Sequence, residues 1–249
     1  MDSGARVVAK NLRHKGVEVV FTLCGGHVQP MHDALLEEGI RVIDARDERA
    51  AVHMAHAHGR MRRQVGVAMV TAGPGVTNAL TGIANAYAAA APLVVIAGAP
   101  PLKQRGKGAQ QEIDQTGVVS PVTKMAETVA DARRISQYVD RAFRAARQGC
   151  PGPAFLEIPT DVLRDKAPCS PPAGPEEIMR SGGAEAAIVE AVRLLAAAKR
   201  PIVIAGSGVY YSGAEERVGE FVERLGLPYL DTGGCRGVLA PDHPLYFPG

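Results

Sequence analysis

Val65-Gly66-Val67-Ala68-Met69-Val70-Thr71-Ala72-Gly73-Pro74-Gly75-Val76-Thr77-Asn78 is an apolar run, a turn and the start of a helical pattern. Val65 to Val70 has the length and apolar character of a strand buried on both faces. Gly73-Pro74-Gly75 breaks that run, and Val76 to Ala90 reads as the following helix. Ligands of open α/β sheets bind at the carboxyl ends of strands. This turn lacks the Lys and Ser/Thr of a phosphate-binding P-loop. Thr71, Thr77 and Asn78 supply hydroxyl and amide groups there. The plainer alternative is that Thr77 or Asn78 only caps the helix.

The same alternation extends in both directions. Upstream, Ala5 to His14 reads as a helix, Val17 to Leu23 as a buried strand, and Pro30 to Leu36 as a helix. Val42-Ile43 then reads as a strand and Glu48 to Met61 as a helix. Downstream, Leu93 to Ala97 is a strand and residues 100 to 117 are a long loop with a helical turn. Lys124 to Val129 is a further strand. Asp131 caps a helix reaching Gln148, and Ala154 to Ile158 is the last strand of this block. This order predicts an α/β fold, a doubly wound parallel sheet with helices on both faces. The stretch 166–183 is rich in proline and glycine and reads as a linker. After it the rhythm resumes as the start of a second, Rossmann-like α/β domain, 184–249. Its helix is Ala184 to Ala198 and its strands are Pro201 to Ala205 and Leu227 to Leu230. Ser212-Gly213-Ala214-Glu215 fits a capping box for a helix to Leu225. Two strands leave much apolar surface uncovered, so this domain is expected to be incomplete and the chain a portion of a larger protein.

The 249 residues carry a formal net charge of +2, with 46% hydrophobic and 22% charged residues. That balance is globular. There is no lysine or arginine block and no tryptophan, so no nucleic-acid partner is expected. Cys24, Cys150, Cys169 and Cys235 are far apart and form no C-x-x-C pair. Neither a zinc site nor a disulfide framework is indicated, and a reducing, cytoplasmic setting is expected. The apolar stretch Ala86 to Ala99 is too short for a membrane span. The start lacks the basic-then-apolar pattern of a signal peptide.

Several local features admit two readings. Glu48, at a strand-to-helix junction, is either a helix-start residue or a carboxylate aimed at a ligand. Gly25-Gly26-His27 is a ligand-approaching turn or a plain βα turn. Gly206-Ser207-Gly208 carries a weak nucleotide signal and reads better as a turn. His53, His56 and His58 lack carboxylate or cysteine partners at ligand spacing, so no metal site is expected from them. Gln110 to Gln115 lies in the long middle loop, which is either functional or merely solvated.

Five segments are informative as an ordered set: Phe21 to Pro30, Arg46 to Arg60, Val70 to Asn78, Gly108 to Asp114 and Cys150 to Val162. Together they resemble the thiamine-diphosphate-dependent enzymes of the acetolactate synthase and 2-hydroxyacyl-CoA lyase type. The resemblance implies that 1–165 is the pyrimidine-binding domain and 184–249 the first part of the central domain. It implies that Glu48 hydrogen-bonds N1′ of the cofactor's aminopyrimidine, favouring the imino tautomer whose 4′-nitrogen takes the C2 proton of the thiazolium. It places Gly25 and Gly26 near the cofactor's reactive centre, where Cys24 departs from the proline usual in the family. Pro74 and Asn78 fall near the pyrimidine ring, and Gln111 and His27 on the substrate side. The implied substrates are 2-keto acids or 2-hydroxyacyl thioesters, and the implied assembly is a homodimer or tetramer.

The family holds the diphosphate through Mg²⁺ with a Gly-Asp-Gly motif, which does not occur here. A diphosphate-binding domain or subunit is therefore an expected partner, and the chain alone is expected to be inactive. FAD binds the central domain of some members, and nothing in these residues supports it. A rival reading is a non-catalytic regulatory, assembly or remnant module sharing the fold.

Overall fold

The computed structural model describes residues 1–169 and 182–247. The chain divides into two compact units, Met1–Ile178 and Met179–Gly249. In chain order the first unit contains β1 (Asp2–Ser3), α1 (Gly4–His14), β2 (Val19–Thr22), α2 (Gln29–Glu37), β3 (Arg41–Asp44), α3 (Glu48–Arg62) and β4 (Gly66–Val70). It continues with α4 (Pro74–Ala88), β5 (Leu93–Ala99), α5 (Gln115–Val119), β6 (Met125–Thr128), α6 (Ile135–Arg147), β7 (Pro153–Pro159), α7 (Thr160–Arg164) and β8 (Lys166–Ala167).

Six of these strands form one parallel sheet in the order β3-β2-β4-β5-β7-β6. Every residue of β4, β5 and β7 is buried. Their near-continuous apolar sequence follows from having helices on both faces. On one face Val67, Met69, Val94 and Ile96 join a core with α1, α2 and α6. Side chains alternate along a strand, so the intervening residues of β4 and β5 meet the other face, covered by α3 and α4. The expected doubly wound sheet is therefore the observed one.

Local chemistry sets the helix ends. Ser3 Oγ accepts from Arg6 N at the start of α1. Asp47 caps α3 by accepting from Arg49 N at 2.8 Å. The Arg49 side chain and backbone hold the Asp47 carboxyl down to about 2, so this cap stays charged across the neutral range. Arg63 ends α3 in the left-handed conformation. Asp131 caps a short 3₁₀ turn, Ala132–Arg134, that leads into α6.

Two local readings are corrected. Lys166 and Ala167 are not linker: they pair antiparallel with Asp2 and Ser3. Most of the expected linker, 170–181, lies outside the described residues. Thr77 and Asn78 do not cap α4, which begins at Pro74 with Gly73 as its N-cap. The 166–167 pairing escaped the sequence because two-residue strands have no readable period.

The second unit comprises α8 (Glu185–Ala197), β9 (Val203–Ala205), α9 (Ser207–Ser212), α10 (Glu215–Leu225) and β10 (Tyr229–Asp231). β9 and β10 pair in parallel. Ala205, Val222, Tyr229, Cys235 and Leu239 form its small core. Ile188, Val189, Val192 and Leu194 of α8 are exposed. The position expected to cap α10 differs: Ser212 ends α9, Gly213 follows in the left-handed conformation, and Ala214 rather than Ser212 is the N-cap of α10. Gly206-Ser207-Gly208 is likewise not a plain turn, since Ser207 opens α9.

Close packing of α3 on β4 depends on Gly66, where an added Cβ would lie 2.1 Å from the Ala55 carbonyl oxygen. Gly66→Ala is expected to cost about 1–3 kcal/mol of stability. A Cβ on Gly26 would meet nothing within 4 Å, so Gly26→Ala is expected to stay within about 0.5 kcal/mol of wild type. Urea midpoints of the two variants check this contrast.

Candidate functional site

β2 lies beside both β3 and β4. The chain leaves β2 in one direction, to β3, and returns past it to β4. The loops after the neighbouring strands β2 and β4 thus diverge at their carboxyl ends, which is where open α/β sheets form ligand crevices. The loop after β2 carries Gly25, Gly26 and His27. The loop after β4 carries Thr71, Gly73 and Pro74. The loop after β3 delivers Glu48 as the first residue of α3.

Glu48 is 5% exposed. Its Oε2 accepts a hydrogen bond from Asn78 Nδ2 on α4 at 3.0 Å. Its Oε1 lies against Gly75, where a Cβ would come within 3.3 Å of it. A buried carboxyl group is costly unless hydrogen-bonded, and α4 supplies the partner. Gly73 makes this approach possible: its φ of 60° suits glycine, and the turn brings Gly75 and Asn78 towards Glu48.

Thr71 joins the two loops. It is buried, and a Cβ on Gly25 would lie 2.4 Å from its own Cβ. Its Oγ1 is 3.4 Å from His27 Nδ1. A Cβ on Gly75 would also meet its methyl group. His27 packs over Gly98 at the end of β5. Burial lowers the His27 pKa, and a hydrogen bond with Gln111 opposes that shift. Gln111 itself has a φ of 61°, and its carbonyl oxygen sits against Gly73.

The structure thus gathers Gly25, His27, Glu48, Pro74, Asn78 and Gln111 around one crevice, with Gly26 exposed on its first loop. Glu48 is enclosed, whereas Pro74 and Asn78 are exposed at its edge. Thr71, Gln115 and Glu157 were not singled out as site residues from the sequence. All three are buried polar groups. A readable signal existed for Glu157, a charged residue inside an otherwise apolar strand pattern.

His53, His56 and His58 take no part in this crevice. No group of three or more His, Cys, Asp or Glu residues suited to a metal ion occurs among the described residues. His58 packs against Phe21 in a tilted arrangement, with ring centroids 5.6 Å apart. Among the described residues no helix is long and apolar enough to cross a membrane.

A parallel α/β sheet with an enclosed carboxyl group at its switch point is a common setting for small-molecule and cofactor sites. The family model for the thiamine pyrophosphate enzyme N-terminal TPP binding domain matches residues 2–118. The model for the thiamine pyrophosphate enzyme central domain matches residues 188–249. The chain belongs to the thiamine-diphosphate-dependent enzyme family. It is 38% identical over 250 residues to an acetolactate synthase large subunit of Mycobacterium tuberculosis, covering 97% of this chain and 45% of that protein. It is 37% identical over 278 residues to 2-hydroxyacyl-CoA lyase 2 of Caenorhabditis elegans, covering 97% of this chain and 43% of that protein. Human 2-hydroxyacyl-CoA lyase 2 is 35% identical over 279 residues, covering 98% and 44%. The chain therefore spans less than half the length of these relatives.

Burial also lowers the pKa of His56. A histidine with a lowered folded pKa binds protons less tightly in the folded state than in the unfolded one. Stability is then retained above the unfolded value near 6.5 and falls as pH drops below it. A proton NMR titration is expected to place the His27 midpoint below 6.5. Gln111→Asn, which tolerates the left-handed backbone but shortens the side chain, is expected to move it lower still.

Proposed function

We propose that residues 1–165 bind the aminopyrimidine half of thiamine diphosphate and that Glu48 is the activating acid at N1′. The single observation that carries this reading is the Glu48 carboxyl group, enclosed between Gly75 and the Asn78 amide at the sheet's switch point. The residues fit a planar heterocycle with a ring nitrogen. A carboxyl group can share a proton with such a nitrogen, glycine at position 75 adds no side chain beside Oε1, and Asn78 fixes Oε2. When bound, the cofactor would supply an acidic thiazolium carbon as nucleophile and a cationic ring as electron sink for making or breaking carbon–carbon bonds.

The work of this chain is positional and acid–base. Asn78 fixes the carboxyl plane by donating to Oε2. Oε1 is then the oxygen available to the ring nitrogen. Gly25 lets the first loop pack on Thr71, and Gly26 keeps that loop's outer side free of a side chain. His27 and Gln111 are read as the substrate side, with His27 neutral near pH 7 and held by Gln111. The substrate class is a 2-keto acid or a 2-hydroxyacyl thioester, as the names of the similar proteins suggest.

Mg²⁺ and the diphosphate are assigned to a separate domain or subunit, since no Gly-Asp-Gly occurs in this sequence. Residues 184–249 are read as part of a central domain. Assembly into at least a homodimer is proposed from the same composite-site logic.

Glu48→Gln in the intact protein, supplied with thiamine diphosphate and Mg²⁺, is expected to slow C2 proton exchange of the bound cofactor by at least about 100-fold. NMR-detected hydrogen–deuterium exchange at C2 measures it. An unchanged rate removes Glu48 from this role.

A further inference from the structure

Glu157 is an ionisable group in the middle of β7, a strand with no exposed residue, and is 2% exposed. Its Oε1 accepts from the Arg105 guanidinium and from the Thr128 hydroxyl at 2.9 Å. Its Oε2 accepts from Gln115 Nε2 at 2.6 Å. Gln115 is 1% exposed. Its Nε2 also donates to the Gly98 carbonyl at 3.1 Å, and its Oε1 accepts from the Gly73 N–H at 2.8 Å.

These partners fix the amide's orientation. An ionised carboxylate and a main-chain carbonyl only accept, and a main-chain N–H only donates. One placement of the Gln115 amide satisfies all three. The reversed placement would set its oxygen against two acceptors and its NH₂ against a donor. A buried donor or acceptor left facing its own kind is strongly disfavoured.

We propose that Glu157 and Gln115 are positioning residues for the activating acid. Glu157 orients the Gln115 amide, and Gln115 holds the Gly73 N–H, pinning the Gly73-Pro74-Gly75 turn. That turn sets Gly75 beside Glu48 Oε1 and starts the helix whose Asn78 holds Oε2. The same carboxylate tethers, through Arg105, the loop that carries Gln111. Gln111 in turn places its carbonyl oxygen against Gly73. One buried charge at the far end of the crevice therefore registers both walls. The catalytic consequence rests on the reading of Glu48 given above, whereas the pinning of the turn does not.

The test uses the intact protein and two readouts. Amide hydrogen exchange of peptides covering 71–78 reports the turn, and C2 proton exchange of bound thiamine diphosphate reports the site. Gln115→Met, similar in volume but without the amide, is expected to speed exchange at 71–78 about tenfold or more. Peptides of β5 should stay unchanged. C2 exchange at saturating cofactor should slow by about tenfold. Glu157→Ala should reproduce both effects if it folds, and Gln115→Met decides the matter if it does not. Ser136→Ala removes a buried partner of Asn11 far from this network. It is expected to lower stability while leaving both readouts at wild-type values.

Unchanged exchange at 71–78 in Gln115→Met overturns the proposal. So does a loosened turn with normal C2 exchange, provided Glu48→Gln abolishes that exchange. Should Glu48→Gln leave C2 exchange intact, the functional reading fails, while a loosened turn in Gln115→Met still supports the pinning.

Discussion

A carboxyl group removed from water must be hydrogen-bonded or it destabilises the fold. Glu48 meets that requirement through an amide, Asn78 Nδ2, on a neighbouring helix. The bond can form only if α4 starts close to α3. A Cβ on Gly75 would press on Glu48 and Thr71, and a Cβ on Gly82 would meet Val52 at 2.7 Å. Small residues along α4 thus allow the approach, and the approach satisfies the acid. The remaining features of the crevice follow from keeping those two helix starts in register.

The sheet supplies the register. β2, β4 and β5 are adjacent, so their carboxyl ends bring Gly25, Thr71 and Gly98 into one row. Thr71 occupies the middle of that row and lies against Gly25 and His27 of the loop after β2 and against Gly75 of α4. Gln115 reaches back from the loop beyond β5 to the Gly73 N–H, and Glu157 on β7 anchors Gln115. A crevice edged by exposed glycine, proline and asparagine is therefore mounted on buried, satisfied polar groups. Such groups specify one arrangement because an alternative would strand a donor or an acceptor. The exposed part can meet a ligand, and the buried part keeps it from drifting.

Much of this was legible in the sequence. Short apolar runs separated by helical periods pointed to a doubly wound parallel sheet, because strands buried on both faces cannot carry polar alternation. Glu48, Gly25 and His27 each follow a strand, a position that left each with a plain structural alternative, and only the ordered set of segments resembling the family singled out these residues and Gln111. Other features depend on contacts that no local pattern encodes. Asp2–Ser3 pairs with Lys166–Ala167 across most of the first unit. Ser212 and Glu215 have capping-box spacing, yet Gly213 takes the left-handed conformation and ends α9 between them. Gln115 looked like one polar loop residue among several. Its role appears only when β7 places Glu157 beside it.

The central claim is that the Glu48 carboxyl group engages the ring nitrogen N1′ of the cofactor. The most direct measurement is ¹⁵N NMR of thiamine diphosphate labelled at N1′, bound to the intact protein with Mg²⁺. The N1′ resonance is predicted to shift strongly on binding to wild type, as a ring nitrogen does when it gains a proton or a short hydrogen bond. That shift should be absent in Glu48→Ala. An N1′ resonance that stays at its free position in the wild-type complex, or shifts equally in both proteins, would contradict it.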